Sequence, residues 1–327
     1  MFSKQSLSNN LAKIKQFLTM TKKFNFTMIL VFSAFTLMAQ TKEKPVMANM
    51  ADSLKYGWWT KNTQLGANLS GSAFSQNWQG GGINNLVVGG VFGHRADFTK
   101  GKGVWSNDLQ IQVGSLTNYT KDKPKEVRKN LDRLFFETKF AKKISPKLNW
   151  FASVNLLSQL LKGFDFADTK KPLVSTLFAP AFLSEGVGVE YKPSKHMVLS
   201  FGGATLRQTI VASDKLKSSS VYAGKSEIFG VPRAKNVKNQ GGFQLVAAYD
   251  KNISSMVNLK WRWQIFTPYQ FNEFDHNLNA IATIKVNKYI NLNTALIGIY
   301  DRSQTSPKND KPWQLNAGAN LGFTVQL

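Results

Sequence analysis

The stretch WQLNAGANLGFTVQL, at positions 313–327, decides the fold that the sequence predicts. Apolar side chains occupy nearly every odd position from Trp313 to Leu327, and the even positions carry Asn, Gln, Thr or Gly. Because the side chains of a β-strand point alternately to its two faces, this repeat predicts one strand with an apolar and a polar face. Strands of globular proteins average about five or six residues, whereas a tilted strand that crosses a membrane needs about 9–11. The stretch is therefore typical of a transmembrane β-strand.

The same alternation recurs upstream, for example over 257–265 and 148–156. With weaker segments included, the pattern predicts about twelve strands, an even number that outer-membrane barrels adopt. Long connections alternate with tight ones, the long ones being 75–82, 118–130, 158–184, 206–241, 267–274 and 301–312, and the tight ones 99–103, 144–147, 192–195, 250–254 and 287–289. We therefore predict an all-β fold, a single closed antiparallel transmembrane β-barrel with short periplasmic turns and long external loops.

An export signal is predicted near the beginning of the sequence. Lys22 and Lys23 form a basic region, 26–38 an apolar one, and the small residue Ala39 a cleavage site. The apolar run is shorter than the roughly 20 residues that a membrane-spanning helix needs, which favours a cleaved signal peptide over an anchor. We predict a signal peptide at 1–39, with Met20 as a candidate natural start, a periplasmic leader at 40–57 and the barrel at 58–327. The predicted location is the outer membrane.

Composition narrows the function classes. The 327 residues include no Cys and three His and carry a formal net charge of +23. Lacking Cys, the chain has no disulfides, no thiol nucleophile and no lipoprotein anchor. The basic residues are spread along the chain without the fold signature of a nucleic-acid module, so no nucleic-acid partner is predicted. Lys residues occupy every tight turn, where they either attract phosphates of outer-membrane lipids or solvate the turns.

No strong catalytic, cofactor or metal motif is present. The sequence lacks a P-loop, HExxH, calcium-loop spacing and GxSxG, so we predict no enzyme and no cofactor. The enzymatic alternative is a lipid acyl hydrolase or transferase, which needs a nucleophilic Ser and a His base. His94 and His276 lie in or beside strands, but no Ser or acid is tied to either by local spacing.

A set of charged residues falls on the polar faces of the predicted strands and is the candidate lumen lining. It comprises Arg95, Asp97, Asp108, Arg133, Glu137, Lys139, Lys260, Arg262 and Lys285, together with Glu190 and Asp275. These residues either bridge across and fill the lumen or line a narrow polar channel. We favour filling, because ionised groups in a confined space need paired neighbours. In a filled lumen, Asp108 or Glu137 would pair with Lys260 and Arg262.

The predicted loop 158–184 is too apolar for an idle external loop. Its candidate plug or partner residues are Leu160, Phe164, Phe166, Leu177, Phe178 and Phe182. The loop either folds inward as a plug, packs on the rim or meets a partner protein.

The end of the chain carries a candidate assembly signal. Asn320, Gly322, Val325 and Leu327 follow the polar, glycine, hydrophobic, hydrophobic spacing of such signals, with Leu in place of the usual final aromatic. An exposed last strand could pair by edge addition with the barrel-assembly machinery before the barrel closes.

Short motifs in the sequence resemble a known family. Asn77-Trp78 followed by three glycines at 80–82, then 177–180 (LFAP), 191–193 (YKP) and 285–290 (KVNKYI), are similar to the Bacteroidetes-type family called domain of unknown function 3078. The resemblance implies an outer-membrane barrel without an established activity. It carries no catalytic residues to this sequence.

These features favour a membrane-embedded binding or transport module with a narrow or plugged lumen. The alternative is a structural or assembly partner of an outer-membrane complex, whose external loops hold a partner protein. A lipid-modifying enzyme is the third hypothesis.

Overall fold

The computed structural model describes residues 57–75, 83–120, 124–301 and 313–326, and these form a closed antiparallel barrel of twelve strands. The barrel strands are β1 (Trp58–Ser72), β2 (Asn84–Lys100), β3 (Gly103–Tyr119), β4 (Glu126–Lys143), β5 (Leu148–Ser158), β8 (Ala181–Ser194), β9 (Met197–Ile210), β12 (Val237–Asn252), β13 (Val257–Pro268), β14 (Asp275–Lys285), β15 (Ile290–Tyr300) and β16 (Trp313–Gln326). Each pairs with the next barrel strand along the chain, and β16 returns to β1. The predicted all-β closed barrel is confirmed.

The two ends of the barrel differ in their connections. Short turns at 101–102, 144–147, 195–196, 253–256 and 286–289 lie at one end, which we call the short-turn end. The longer connections 159–180, 211–236 and 269–274 lie at the other, the long-loop end, where β1, β3 and β15 also end. The predicted signal peptide, Met20 and nearly all of the predicted leader lie outside the described residues. β1 begins at Trp58, and no helix in the described part of the chain is long and apolar enough to span a membrane.

Alternation along each strand separates an outer apolar face from a lumen face. On β13, Trp263 is well exposed on the outer face, whereas Arg262 and Gln264 point to the lumen, where Gln264 donates to Gln244 of β12 at 3.0 Å. Aromatic rings cluster on the outer face near the short-turn end, with Trp59 and Phe98 5.2 Å apart between ring centroids. Exposed aromatic belts of this kind suit the boundary between lipid and water.

Two predicted loops are shorter than the sequence suggested. The predicted loop 158–184 includes the first residues of β8, which begins at Ala181. The predicted loop 206–241 includes the end of β9, which continues to Ile210, and the start of β12, which begins at Val237. A β-bulge in β9 explains the early end predicted for that strand, since Val187 and Gly188 of β8 are in register with Ala204 and Gly202, which leaves Gly203 as the extra residue. A β-bulge inserts an extra residue and reverses the alternation beyond it, so the repeat breaks off before the strand does.

The two longest connections, 159–180 and 211–236, pack together at the long-loop end as a loop cap. The cap contains the hairpin β6 (Gly163–Phe164) and β7 (Leu173–Ser175), the short helix α1 (Asp214–Lys217), a 3-10 turn (Ser220–Tyr222), and the hairpin β10 (Glu227–Ile228) and β11 (Val231–Pro232). Its core is formed by Ala179, Val211, Leu216, Tyr222, Ile228 and Val231. The Tyr222 hydroxyl donates to the Val174 carbonyl at 2.8 Å, which joins the two connections. Burial raises the pKa of Tyr222 to about 12.

Candidate functional site in the barrel lumen

A row of charged side chains crosses three neighbouring strands on the lumen face. Arg95 of β2 is in register with Asp108 of β3, which is in register with Glu137 of β4. Arg95 also forms an ion pair with Asp97, at 3.0 Å. Arg95 and Asp108 attract each other and favour the register of β2 and β3, whereas Asp108 and Glu137 are like charges in register and need a cation nearby.

One ion pair spans the lumen itself. The Nη2 atom of Arg262, on β13, lies 3.4 Å from Oε1 of Glu137, on β4. Four strands separate β4 and β13 along the shorter path around the wall. Side chains from distant parts of the wall therefore meet here, and the lumen is narrow at this level.

A second guanidinium lies beside the first. Arg133 and Arg262 both lie over the ring of Phe135, with guanidinium carbons 4.8 and 5.8 Å from the ring centroid. Arg133 donates to the side-chain oxygen of Gln110 at 2.9 Å, and Gln110 in turn donates to Asp108 at 3.0 Å. The two guanidinium groups thus share one aromatic ring, and the ion pair to Glu137 is made by Arg262.

A buried Arg joins three strands near the long-loop end. Arg207 of β9 is 8% exposed and donates to Asp275 of β14 through Nη1 and to Asp301 through Nη2, the latter at 2.9 Å. The rings of Phe182 and Phe266 lie within 5.7 and 5.1 Å of its guanidinium carbon. The sequence predicted Asp275 as a lumen residue but assigned Arg207 and Asp301 to loops. Phe182, predicted as a loop residue, belongs to β8.

A third lumen cluster surrounds Glu190, whose side chain is fully buried. Lys139 of β4 forms an ion pair with it across β5, Lys192 lies at 2.9 Å, and Asn149 donates to it at 3.0 Å. Three donors for one carboxylate satisfy the charge that the strand buries.

Lys260 and Lys285 differ from the other lumen candidates. The Lys260 side chain is 60% exposed, and its Nζ lies 3.8 Å from Asp250 of the neighbouring strand. Lys285 is exposed beside the short turn 286–289. The expectation that Lys260 pairs with Asp108 or Glu137 is wrong, because Lys260 lies at the short-turn end, in register with Asp250.

The inward side chains leave a cavity of about 110 Å³. Its polar lining includes Arg133, Arg262, Arg207, Asp275 and Asp301, and its apolar lining includes Phe135, Leu157, Phe182 and Phe266. No residue of the connection 159–180 lines this cavity. The cavity lies between the Arg207 cluster and the Arg262–Glu137 pair.

The remaining candidate residues of the long-loop end lie in the loop cap. Leu160 and Phe166 are half-buried, and Phe166 lies beneath Arg128, 4.6 Å from guanidinium carbon to ring centroid. Phe164, Leu177 and Phe178 are exposed. The loop therefore packs at the rim against the second connection and presents three apolar side chains to solvent.

Most of the candidate assembly signal lies in β16. Gly322 is in register with Asn68 of β1, Val325 with Leu65 of β1, and Asn320 with Asn293 of β15, whereas Leu327 lies outside the described residues. A Cβ atom at Gly322 would lie 2.5 Å from Nδ2 of Asn293, so crowding in the lumen is itself a reason for glycine there.

The histidines show no catalytic arrangement within the described residues. The ring of His94 contacts the Thr63 hydroxyl at 2.8 Å, that of His196 the Asp250 carbonyl at 3.1 Å, and that of His276 stacks against Trp263. None of these contacts joins a His ring to a Ser hydroxyl. The described ranges also contain no group of three or more His, Asp or Glu that could hold a metal ion.

Residues 69–164 match the family described as protein of unknown function (DUF3078). The match includes the Asn77-Trp78 and triple-glycine motif but not the three later motifs. No curated protein matches the chain in sequence.

Solved structures with a similar fold are outer-membrane barrels. An outer membrane channel from Pseudomonas putida F1 is 8% identical with a TM-score of 0.37, covering 82% of this chain and 95% of its own. The NanC porin is 9% identical with a TM-score of 0.35, covering 81% and 97%. The translocator domain of the autotransporter NalP from Neisseria meningitidis is 8% identical with a TM-score of 0.33, covering 84% and 91%.

Proposed function

We propose that the protein is an outer-membrane binding and transport module whose lumen is closed, in this conformation, by charged side chains from opposite walls. The observation that carries the proposal is the contact between Arg262 and Glu137 across the lumen. The Arg207 cluster lines the same passage nearer the long-loop end.

The membrane location is supported by the outer face of the barrel. Strands of 11–18 residues are long enough to cross a bilayer, and closure pairs their backbone groups without water. Large apolar side chains such as Val189, Leu245 and Leu296 are exposed on this face, which would be costly in water. In this proposal the long-loop end faces the outside and the short-turn end faces the periplasm, after export by the predicted signal peptide.

A binding and transport role is supported by the kind of closure. Among the residues that the structure describes, charged side chains meet across the lumen and leave a cavity. Ion pairs can exchange partners with a charged solute, because the solute offers the same hydrogen bonds that it displaces. A closure of this type can therefore open without a rearrangement of the wall.

The test is conductance in a planar bilayer. We expect the parent barrel, folded in detergent and heat-modifiable on gels, to show little steady conductance. Replacing both members of the crossing pair, Arg262→Ala with Glu137→Ala, should raise conductance without stranding either charge. Lys260→Ala is the matched control, because Lys260 pairs with Asp250 of the neighbouring strand and not across the lumen. It should leave conductance unchanged. Large, stable conductance steps in the parent, or recovery of the protein as a soluble periplasmic species, would overturn the proposal.

The loop cap favours a second candidate function, a structural or assembly partner of an outer-membrane complex. The cap has its own buried core, which holds exposed Phe164, Leu177 and Phe178 in place. If this function is the main one, replacing these three residues with Ser should abolish cross-linking to a partner in membranes and leave barrel folding unchanged.

A further inference from the structure

Two guanidinium groups in the lumen contact the same aromatic ring, and only one of the two is directly paired with a carboxylate in the described part of the chain. Arg133 and Arg262 both lie over Phe135. Glu137 pairs with Arg262, while Arg133 donates to the neutral side-chain amide of Gln110. Within the described ranges, no carboxylate forms an ion pair with Arg133. Arg133 therefore brings donor groups that no carboxylate binds directly to this part of the lumen, because it reaches Asp108 only through Gln110.

The nearby acids are already engaged. Asp108 accepts from Gln110, and Asp275 and Asp301 both accept from Arg207. Placing two guanidinium groups close together in a confined space is unfavourable unless an anion lies near both. The arrangement would thus be stabilised by an added anion at the cavity that both Arg133 and Arg262 line.

The cavity also has an apolar side. Phe135, Leu157, Phe182 and Phe266 line it together with the polar groups. Its volume of about 110 Å³ is somewhat smaller than the roughly 150 Å³ of an apolar protein cavity that binds benzene. A ligand that matches this site combines a compact planar anion with a short apolar part.

We propose that this cavity binds a small organic carboxylate, whose oxygens accept hydrogen bonds from Arg133 and Arg262 while its apolar part lies against Phe135 and Leu157. The inference rests on the proposed function and names its ligand class. A carboxylate matches the planar fork of a guanidinium, and one oxygen pair can satisfy two such groups. The apolar lining favours a carboxylate over inorganic phosphate or chloride, which have no apolar part to bury.

The experiment is equilibrium dialysis of radiolabelled propionate against the full-length barrel folded in detergent. We expect one propionate per parent barrel, displaced by acetate but poorly by chloride or inorganic phosphate. Arg133→Gln should weaken binding by about tenfold or more, because it removes a charged hydrogen-bond donor without stranding a carboxylate. Arg95→Gln is the matched control, a lumen Arg outside the cavity, and should bind propionate as the parent does.

The inference and the proposed function fail separately. Absence of propionate binding, equal displacement by acetate, chloride and inorganic phosphate, or equal binding by Arg133→Gln would overturn the carboxylate site, whatever the barrel conducts. Flux of propionate into liposomes tests transport alone. If propionate binds through Arg133 and no flux occurs through the parent or through the Arg262→Ala and Glu137→Ala barrel, the site is upheld and the transport part of the proposed function is wrong.

Discussion

Arg262 and Glu137 lie 3.4 Å apart between their nearest side-chain atoms, although the strands that carry them are separated by four others. The pair connects opposite walls of the lumen and places a cation beside Glu137, which is in register with the like-charged Asp108. Arg262 is also held over the ring of Phe135. Its loss would leave Glu137 without the partner that reaches it from the opposite wall.

Arg262→Ala should therefore destabilise the barrel by about 1–3 kcal/mol, the cost of leaving a partly buried acceptor unsatisfied. Lys260→Ala provides the comparison, because both members of its ion pair are more than half exposed, and it should cost at most about 0.5 kcal/mol. The measurement is thermal unfolding of the detergent-folded barrel, followed by the gel shift. Equal losses from the two variants would contradict the crossing pair.

The Arg207 cluster predicts a larger effect. Arg207→Gln leaves Asp275 and Asp301 close together in a buried site without their shared cation. The expected cost is about 3–5 kcal/mol, typical of breaking a buried ion pair from one side. Urea unfolding in detergent measures it, with Arg95→Gln as an exposed-pair control that should change stability by about 1 kcal/mol or less.

A triple variant separates stranded charge from lost packing. Adding Asp275→Asn and Asp301→Asn to Arg207→Gln removes both carboxylates and should recover a large part of the stability. If the triple variant is no more stable than Arg207→Gln alone, the loss comes from packing between Phe182 and Phe266 rather than from the charges.

The sequence predicted the barrel and its alternating long and short connections because most strands keep a strict period of two. β14, β15 and β16 follow the predicted faces along their full length. The error at Arg207 has a local cause, since the bulge in β9 at Gly203 reverses the faces close to where the prediction stopped. Partners across the lumen, such as Arg262 and Glu137, depend on the width of the closed barrel. The periodicity of the sequence does not indicate this width.

The loop cap could not be predicted for a different reason. Its core residues are scattered over two segments without helical or strand periodicity, and their contacts form only when the two connections meet. The sequence indicated an unusually apolar first connection, and in the structure this connection packs against the second one. It gave no sign that the second connection supplies most of that core.

Tyr222 allows the cap to be tested by pH. Its pKa is raised by burial from 10.0 to about 12, so the protonated hydroxyl is favoured in the folded cap. The corresponding stability is fully present below about pH 10 and is lost as the pH rises through about 12. Deprotonation of tyrosine is followed by ultraviolet absorbance as the pH is raised, in the parent and in Tyr222→Phe. The difference between the two titration curves should show one tyrosine with a midpoint near pH 12. A midpoint near 10 would mean that Tyr222 is not buried in solution.

The final prediction concerns the closing seam between β1 and β16. Among the described residues, the segment Gln64–Leu69 is in register with Leu321–Gln326, and the rest of β1 pairs with β2 alone. Removing Val325, Gln326 and Leu327 deletes the partners of Gln64 and Leu65 at the end of this short seam. An open barrel exposes unpaired strand edges, which is unfavourable in lipid. We expect the truncated chain to give much less heat-modifiable barrel in the outer-membrane fraction, measured against total protein by immunoblotting. Val325→Ala keeps the backbone pairing and should insert nearly as well as the parent, whereas a loss as large as that of the truncation would show that the side-chain signal dominates. Unchanged folded barrel after truncation would show that this end of β16 contributes neither to closure nor to assembly.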